Sequence, residues 1–132
     1  MVSSETNKLF GGYTSLSWTS PIAPEWKKDE KAFIFSLTNR TKHTQTQNKL
    51  QAVEHSKEYL ISFGRGHDFR ISSNANANNE SYSNFGYTYQ LPEGITMNSD
   101  LAKSYLAGSY QFKIVEIEVY KVVFTPVITA AK

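Results

Sequence analysis

The stretch "FGRGHDFRI", Phe63 to Ile71, joins a glycine-rich turn to two residues that could do chemistry. Gly64 and Gly66 form the turn, and His67 and Asp68 follow it directly. A histidine held beside a carboxylate can serve as a general base or contribute to a metal site. The pair therefore suggests a metal-dependent or peroxide-handling enzyme. The alternative is that it only fastens the turn to the protein core.

Other residues offer this pair little chemical support. His43, His55 and His67 recur every twelve residues, whereas zinc sites usually take two donors close together in the sequence. The chain has no cysteine, which excludes disulfides, thiolate zinc sites and a peroxidatic cysteine. It also has neither a Gly-x-Ser-x-Gly elbow nor a Walker phosphate loop. We therefore predict no catalytic residue, no metal and no cofactor.

Strand alternation separates the two members of the pair. Phe69 and Ile71 alternate with Arg70, which predicts a strand with the two apolar side chains facing the core. Extended backwards, this alternation turns His67 towards the core and Asp68 towards solvent beside Arg70, unless the strand begins after Asp68. An exposed Asp68–Arg70 ion pair would contribute little to stability. We accordingly predict that His67 is structural.

Period-two alternation also predicts two further strands. "KAFIFSLT" places Phe33, Phe35 and Leu37 on one buried face. A longer pattern runs from Tyr110 to Phe124, with a slip in parity at Ile114–Val115. A slip would turn the apolar face outward, so we predict a bulge or bend there. The residues predicted to be buried in this pattern are Phe112, Ile114, Val115, Ile117 and Val119.

Helical signals are few. Ser99 or Asp100 could cap a short helix that continues to Leu106, with Gly108 just past its end. The segment Lys49–Leu60, "KLQAVEHSKEYL", has good helix formers but an incomplete apolar stripe. Several strands with one or two short helices predict a β-rich α+β domain, either a sheet or a sandwich.

Length and charge narrow the class of protein. The chain has 132 residues, which fits one domain. Its net charge is +2, and its basic residues are spread along the chain, which argues against a nucleic-acid partner. No apolar run reaches the ~18 residues of a membrane span, so we expect no membrane insertion. Residues Met1 to Lys8 are too polar for a signal peptide, which indicates a cytoplasmic protein.

Five motifs together resemble the TLDc domain family. They are "LFGGYTSLSW" (Leu9–Trp18), "FIFSLTN" (Phe33–Asn39), "FGRGHDFRIS" (Phe63–Ser72), "SYSNFGYTYQ" (Ser81–Gln90) and "SYLAGSYQFKIVEIEVY" (Ser104–Tyr120). Each motif alone is weak, but five in the family's order are specific. The residues that carry this structural signature are Gly11, Gly12, Trp18, Gly64, Gly66, His67, Asp68, Gly86, Gly108 and Glu116.

The resemblance implies a fold and a division of the chain. It implies two antiparallel sheets in a β-sandwich with one or two short flanking helices, over residues 9–124 between tails 1–8 and 125–132. Family domains usually carry a helix and a strand before the first motif. The chain is therefore expected to be the larger C-terminal part of the domain, with a bare sheet edge. The resemblance assigns 52–61 to a strand and loop, against the local helix pattern.

The resemblance also implies a function. TLDc proteins are associated with resistance to oxidative stress, and several bind the vacuolar-type proton ATPase, so we expect a non-enzymatic domain whose protein partner is a subunit of that ATPase. Loops over a rigid sheet often carry binding residues, which makes Tyr82, Asn84, Phe85 and Tyr87 candidate partner contacts. Trp18 and Phe85 could instead be core anchors. An enzyme centred on His67 and Asp68, and a truncated domain without independent function, remain the alternatives.

Overall fold

The computed structural model describes residues 1–123 as two antiparallel sheets with little helix. The strands are β1 (Val2–Ser4), β2 (Leu9–Tyr13), β3 (Glu25–Lys27), β4 (Phe33–Ser36), β5 (Thr41–His43), β6 (Val53–His55), β7 (Tyr59–Phe63), β8 (Phe69–Ser72), β9 (Ser81–Tyr82), β10 (Gln111–Phe112) and β11 (Ile114–Ile117). The five-stranded sheet has the order β11-β1-β2-β4-β5, and the six-stranded sheet has the order β10-β9-β8-β7-β6-β3. The predicted β-rich sandwich is confirmed.

Aromatic side chains from both sheets fill the core. The ring of Phe10 on β2 meets Phe69 and Phe112 edge to face, with centroids 5.4 and 5.7 Å away. Gly12, also on β2, lies against the ring of Phe63, where an added Cβ would come within 2.5 Å of that ring. The two sheets therefore approach each other closely at Gly12, which is why this signature position needs glycine.

The N-terminal residues are part of the five-stranded sheet. β1 lies between β11 and β2, and Val2 is buried in the core at 1% exposure. The assignment of these residues to a tail is therefore wrong, because apolar burial and two antiparallel pairings hold them in the sheet. The expected tail 125–132 and the last residue of the Tyr110–Phe124 pattern lie outside the described residues.

β4 buries the face opposite to the predicted one. Ile34 and Ser36 are buried at 0% and 1% exposure. On the other face, the half-buried Phe33 stacks on Tyr13 of the neighbouring strand at 5.3 Å. Aromatic residues thus cover one another outside the sandwich, so their alternation did not mark the core. The residues wrongly predicted to face the core are Phe33, Phe35 and Leu37.

The predicted irregularity near Ile114 is confirmed as a bulge. In the pairing of β11 with β1, Glu116 lies opposite Ser3 and Ile114 lies opposite Ser4. Val115 between them has no partner and is the extra residue of the bulge. Just before, Lys113 carries the chain from the six-stranded sheet to the five-stranded one. Val115 and Val119, both predicted to be buried, are 68% and 77% exposed. Val115 is the extra residue of the bulge and points outward, and Val119 lies beyond the end of β11.

The predicted C-terminal helix is confirmed as α1, Asp100–Ser104. The hydroxyl of Ser99 accepts a hydrogen bond of 3.1 Å from the backbone N–H of Ala102 and so caps the helix. Gly108 follows the helix, and its N–H donates to the carbonyl of Ser104 at 2.9 Å.

The segment Lys49–Leu60 is not a helix. Lys49–Gln51 form one 3-10 turn, after which the chain enters β6 and then β7. Val53 pairs with Phe63 across these strands and is fully buried. The assignment from the family resemblance is therefore the correct one, because pairing and burial outweigh the helix propensity of this segment.

Candidate interaction surface on the six-stranded sheet

A left-handed turn between β7 and β8 positions the residues of "GRGHD". Gly64, Gly66 and His67 all have positive φ angles, of 81°, 74° and 62°. His67 is the costly member of this set, because a side chain disfavours that region. The N–H of His67 donates to the carbonyl of Gly64 at 3.1 Å and closes the turn. An added Cβ at Gly64 would meet the carboxylate of Asp68.

Asp68 points into the protein, and its predicted outward orientation is wrong. It is fully buried, and its carboxylate accepts hydrogen bonds from the backbone N–H groups of Gly86, Thr88 and Tyr89 at 3.0–3.1 Å. β8 begins only at Phe69, so the strand alternation does not extend to Asp68. Burial raises the pKa of Asp68 to about 7, although these N–H groups favour the charged form.

His67 lies outside the sandwich, so its predicted inward orientation is also wrong. Its Nε2–H donates to the carboxylate of Glu54 at 2.7 Å, and its Nδ1 forms a hydrogen bond of 2.5 Å with the hydroxyl of Tyr82. A carboxylate only accepts, so the proton of this hydrogen bond lies on Nε2. The left-handed backbone sends consecutive side chains to opposite sides of the sheet, so His67 and Asp68 form no dyad.

The other two histidines have separate partners. His43 donates from Nδ1 to the carbonyl of Gln90 at 2.7 Å, and Nδ1 of His55 bonds to the hydroxyl of Thr19 at 2.9 Å. Burial lowers the pKa of both imidazoles. Across residues 1–123, no group of three or more His, Cys, Asp or Glu side chains could hold a metal ion.

Aromatic side chains surround His67 on the outer face of the six-stranded sheet. The indole of Trp26 stacks on the imidazole with centroids 5.8 Å apart, and the rings of Tyr59 and Tyr82 meet it edge to face at 5.8 and 5.6 Å. Glu54 is buried beneath them at 5% side-chain exposure. We call the following six side chains the outer-face cluster: Trp26, Tyr59, His67, Arg70, Tyr82 and Tyr110.

Arg70 lies within this cluster with its charge between two phenol rings. Its guanidinium carbon is 4.3 Å from the ring centroid of Tyr59 and 4.5 Å from that of Tyr82. The next strand places Ser62 directly opposite Arg70, and Ser62 is fully buried although it faces outward. The cluster therefore packs closely enough to exclude water from the sheet beneath it.

The predicted partner contacts divide between this surface and the core. Tyr82 belongs to the outer-face cluster, while Asn84 donates from its side chain to the carbonyl of Gly66 at 2.8 Å. Tyr87 packs its ring against Gly66. Phe85 is 1% exposed and packs on His43 at 4.8 Å. Its assignment as a surface contact is therefore wrong, and it is a core anchor.

The remaining signature residues lie away from the cluster. Trp18 packs against the core on Phe63 at 5.6 Å. Gly11 lies in β2, Gly86 follows β9 and Gly108 follows α1. Glu116 is exposed on β11.

Sequence reasoning missed the central members of the outer-face cluster. Trp26 lies in a strand of three residues, which is too short to show alternation. Tyr59 lies before a shift in the pairing of β7 with β8, which breaks the alternation there. The available signal was Arg70, whose position between Phe69 and Ile71 put it on the outer face.

Fold and surface define a β-sandwich that carries an aromatic–arginine patch outside its core. A family model for the TLDc domain matches residues 1–123 of the chain. The chain therefore belongs to the TLDc domain family, as the five motifs indicated. No curated protein and no solved structure matches it significantly. Within residues 1–123, none of the helices has the length and apolar character needed to cross a membrane.

Proposed function

We propose that this chain is a non-enzymatic protein-interaction domain that contacts its partner through the outer-face cluster. The observation that carries the proposal is the grouping of Trp26, Tyr59, Arg70 and Tyr82 on one rigid sheet face. Tryptophan, tyrosine and arginine are the residues enriched at binding hot spots. Trp26 and Tyr110 retain 36% and 39% exposure, so part of the apolar surface is available to a partner.

The proposed partner is a subunit of the vacuolar-type proton ATPase, and the proposed role is resistance to oxidative stress in the cytoplasm. Membership of the TLDc family supports this assignment, since several proteins with this domain bind that ATPase. Tyr82 belongs both to a family motif and to the outer-face cluster, which links the family resemblance to the surface.

A capture experiment tests the proposal. The immobilised chain is incubated with cytosolic extract, and ATPase subunits are quantified by mass spectrometry against empty beads. Trp26→Ala should reduce capture by about tenfold or more, the loss typical of a hot-spot residue. Tyr120→Ala is the matched control, because Tyr120 is an aromatic with 68% exposure outside the cluster.

Two results would count against the proposal. If the wild-type chain enriched no ATPase subunit above empty beads, the proposed partner would be wrong. If Trp26→Ala and Tyr120→Ala captured the same amount as wild type, the outer-face cluster would not be the contact surface. Thermal melts of both variants establish that each one is folded.

A second candidate function is general-base catalysis. The hydrogen-bonded series Glu54–His67–Tyr82 places a carboxylate, an imidazole and a hydroxyl in the order that activates a nucleophile in hydrolases. Hydrolysis of p-nitrophenyl acetate tests it. Turnover that Tyr82→Phe abolishes would favour this function, whereas release of p-nitrophenol no faster than in buffer would exclude esterase activity.

A further inference from the structure

Arg70 carries a charge that has no anionic partner in the described chain. The ion pairs within residues 1–123 join Lys27 to Glu25 and Lys28 to Glu30, and Glu54 is hydrogen-bonded to His67. Glu54 lies beneath the cluster, but its carboxylate is buried and already accepts from His67. The positive charge of Arg70 is therefore not compensated by a carboxylate of its own sheet.

The surroundings of Arg70 hold the guanidinium in place. The rings of Tyr59 and Tyr82 flank its carbon atom at 4.3 and 4.5 Å, which restricts the orientation of the planar group. Its Nε is buried and has no acceptor among the described residues, and its terminal nitrogens are not among the buried, unpaired atoms of residues 1–123. The terminal N–H groups are thus the donors available to an incoming anion.

A second cation lies at the edge of the same surface. The ammonium of Lys103 lies 5.1 Å from the ring centroid of Tyr110, and that ring packs on Tyr82 at 5.8 Å. The outer-face cluster and its edge therefore combine aromatic rings with the positive charges of Arg70 and Lys103. A complementary ligand has carboxylates beside apolar groups.

We propose that the outer-face cluster binds an acidic segment of a protein, with a glutamate or aspartate side chain of that segment accepting hydrogen bonds from Arg70. The pairing is bidentate, because a carboxylate matches the two terminal nitrogens of a fixed guanidinium. The rings of Trp26 and Tyr59 contact the neighbouring side chains of the segment. This inference rests on the proposed function, and it names the chemistry of the partner.

The test uses an octaglutamate peptide as the probe and an octaglutamine peptide as its neutral counterpart. Both are titrated into the whole chain at physiological ionic strength, where distant charges are screened. NMR follows the side-chain N–H signals of Arg70 and Trp26. Octaglutamate should shift both signals with saturation, and octaglutamine should shift neither.

Three variants distinguish specific recognition of octaglutamate by Arg70 from nonspecific electrostatic attraction. Arg70→Gln should weaken octaglutamate binding by about tenfold, as removal of a charge-assisted pair does. Arg70→Lys keeps the charge but not the planar stacked geometry, and it should lose most of the same affinity. Arg40→Gln removes an equal charge from the turn after β4 in the other sheet and should leave binding unchanged.

Wild-type affinity in Arg70→Lys would overturn the inference, because the surface would then respond to charge alone. Saturable shifts confined to residues outside the outer-face cluster, or no shift at all, would overturn it as well. If a thermal melt shows that an Arg70 variant is not folded, the wild-type titration still tests the inference, because the Arg70 and Trp26 signals report on binding directly.

The capture experiment distinguishes this inference from the function on which it rests. If Arg70→Gln retained the captured ATPase subunit while Trp26→Ala lost it, the acidic-segment inference would be wrong and the interaction function would stand. If octaglutamate bound at Arg70 while no ATPase subunit was captured, the inference would stand and the assigned partner would be wrong.

Discussion

Replacement of Asp68 by asparagine should make the stability of the domain depend differently on pH. In the wild type, the buried carboxyl group accepts three backbone N–H groups, from Gly86, Thr88 and Tyr89. Burial raises its pKa to about 7 in the folded protein. Asparagine keeps the shape and one acceptor oxygen but does not titrate, so the difference between the two proteins isolates the ionisation of Asp68.

The sign and size of this pH dependence follow from proton linkage. A folded-state pKa above the ordinary value of 3.8 means that the folded protein binds the proton more tightly. The resulting stabilisation is complete below the ordinary pKa and is lost as the pH rises through about 7. Each pH unit corresponds to about 1.4 kcal/mol. The stability advantage of wild type over Asp68→Asn should therefore fall by about 3 kcal/mol between about pH 5 and pH 8.

Urea unfolding at a series of pH values measures this difference. Asp29→Asn is the matched control, because Asp29 is also buried but shows the opposite shift. Burial acts to raise the pKa of Asp29, yet hydrogen bonds from Thr14, Ser15 and Lys31 hold it below its ordinary value. Its contribution is constant over the same pH range. An advantage over Asp68→Asn that grew with pH would refute the reasoning, since the N–H donors would then outweigh burial.

Three further predictions concern stability. Gly12→Ala should cost about 1–3 kcal/mol, because its Cβ would overlap the ring of Phe63, and urea unfolding would contradict this if the variant matched wild type. Ser99→Ala should remove the cap of α1 and cost about 1 kcal/mol in the same assay, whereas Ser109→Ala, outside that helix, should cost less. His67→Gly should be more stable than His67→Ala by about 1 kcal/mol in a thermal melt, because both lose the imidazole but only glycine accepts the left-handed backbone. An alanine variant that melted higher would show that this backbone is not strained.

Family and architecture could be predicted from the sequence because they depend on many residues at once. Five ordered motifs gave the TLDc family. The alternation of Phe69 and Ile71 correctly placed both in the core. Val115 marked the bulge of β11 because a slip in parity has few other structural solutions.

Side-chain directions next to irregular backbone could not be predicted in the same way. Asp68 and His67 were both assigned to the wrong side, because a left-handed residue resets the direction of the chain just before β8. Phe33 was assigned to the core, but it is shielded by Tyr13 outside the sandwich. The sequence pattern predicts an ion pair between Arg70 and Asp68, but the guanidinium of Arg70 lies between the rings of Tyr59 and Tyr82.

The pairing of β1 with β11 has a consequence for synthesis of the protein. Backbone groups of Met1 and Glu118, 117 residues apart, bond to each other at this pairing. β1 leaves the ribosome before every other described strand, and β11 leaves it after all of them. Val2 must therefore remain without its partner Ile117 until all the intervening residues have been synthesised. Because contacts between distant residues also slow folding, the nascent chain should need protection from aggregation until β11 emerges.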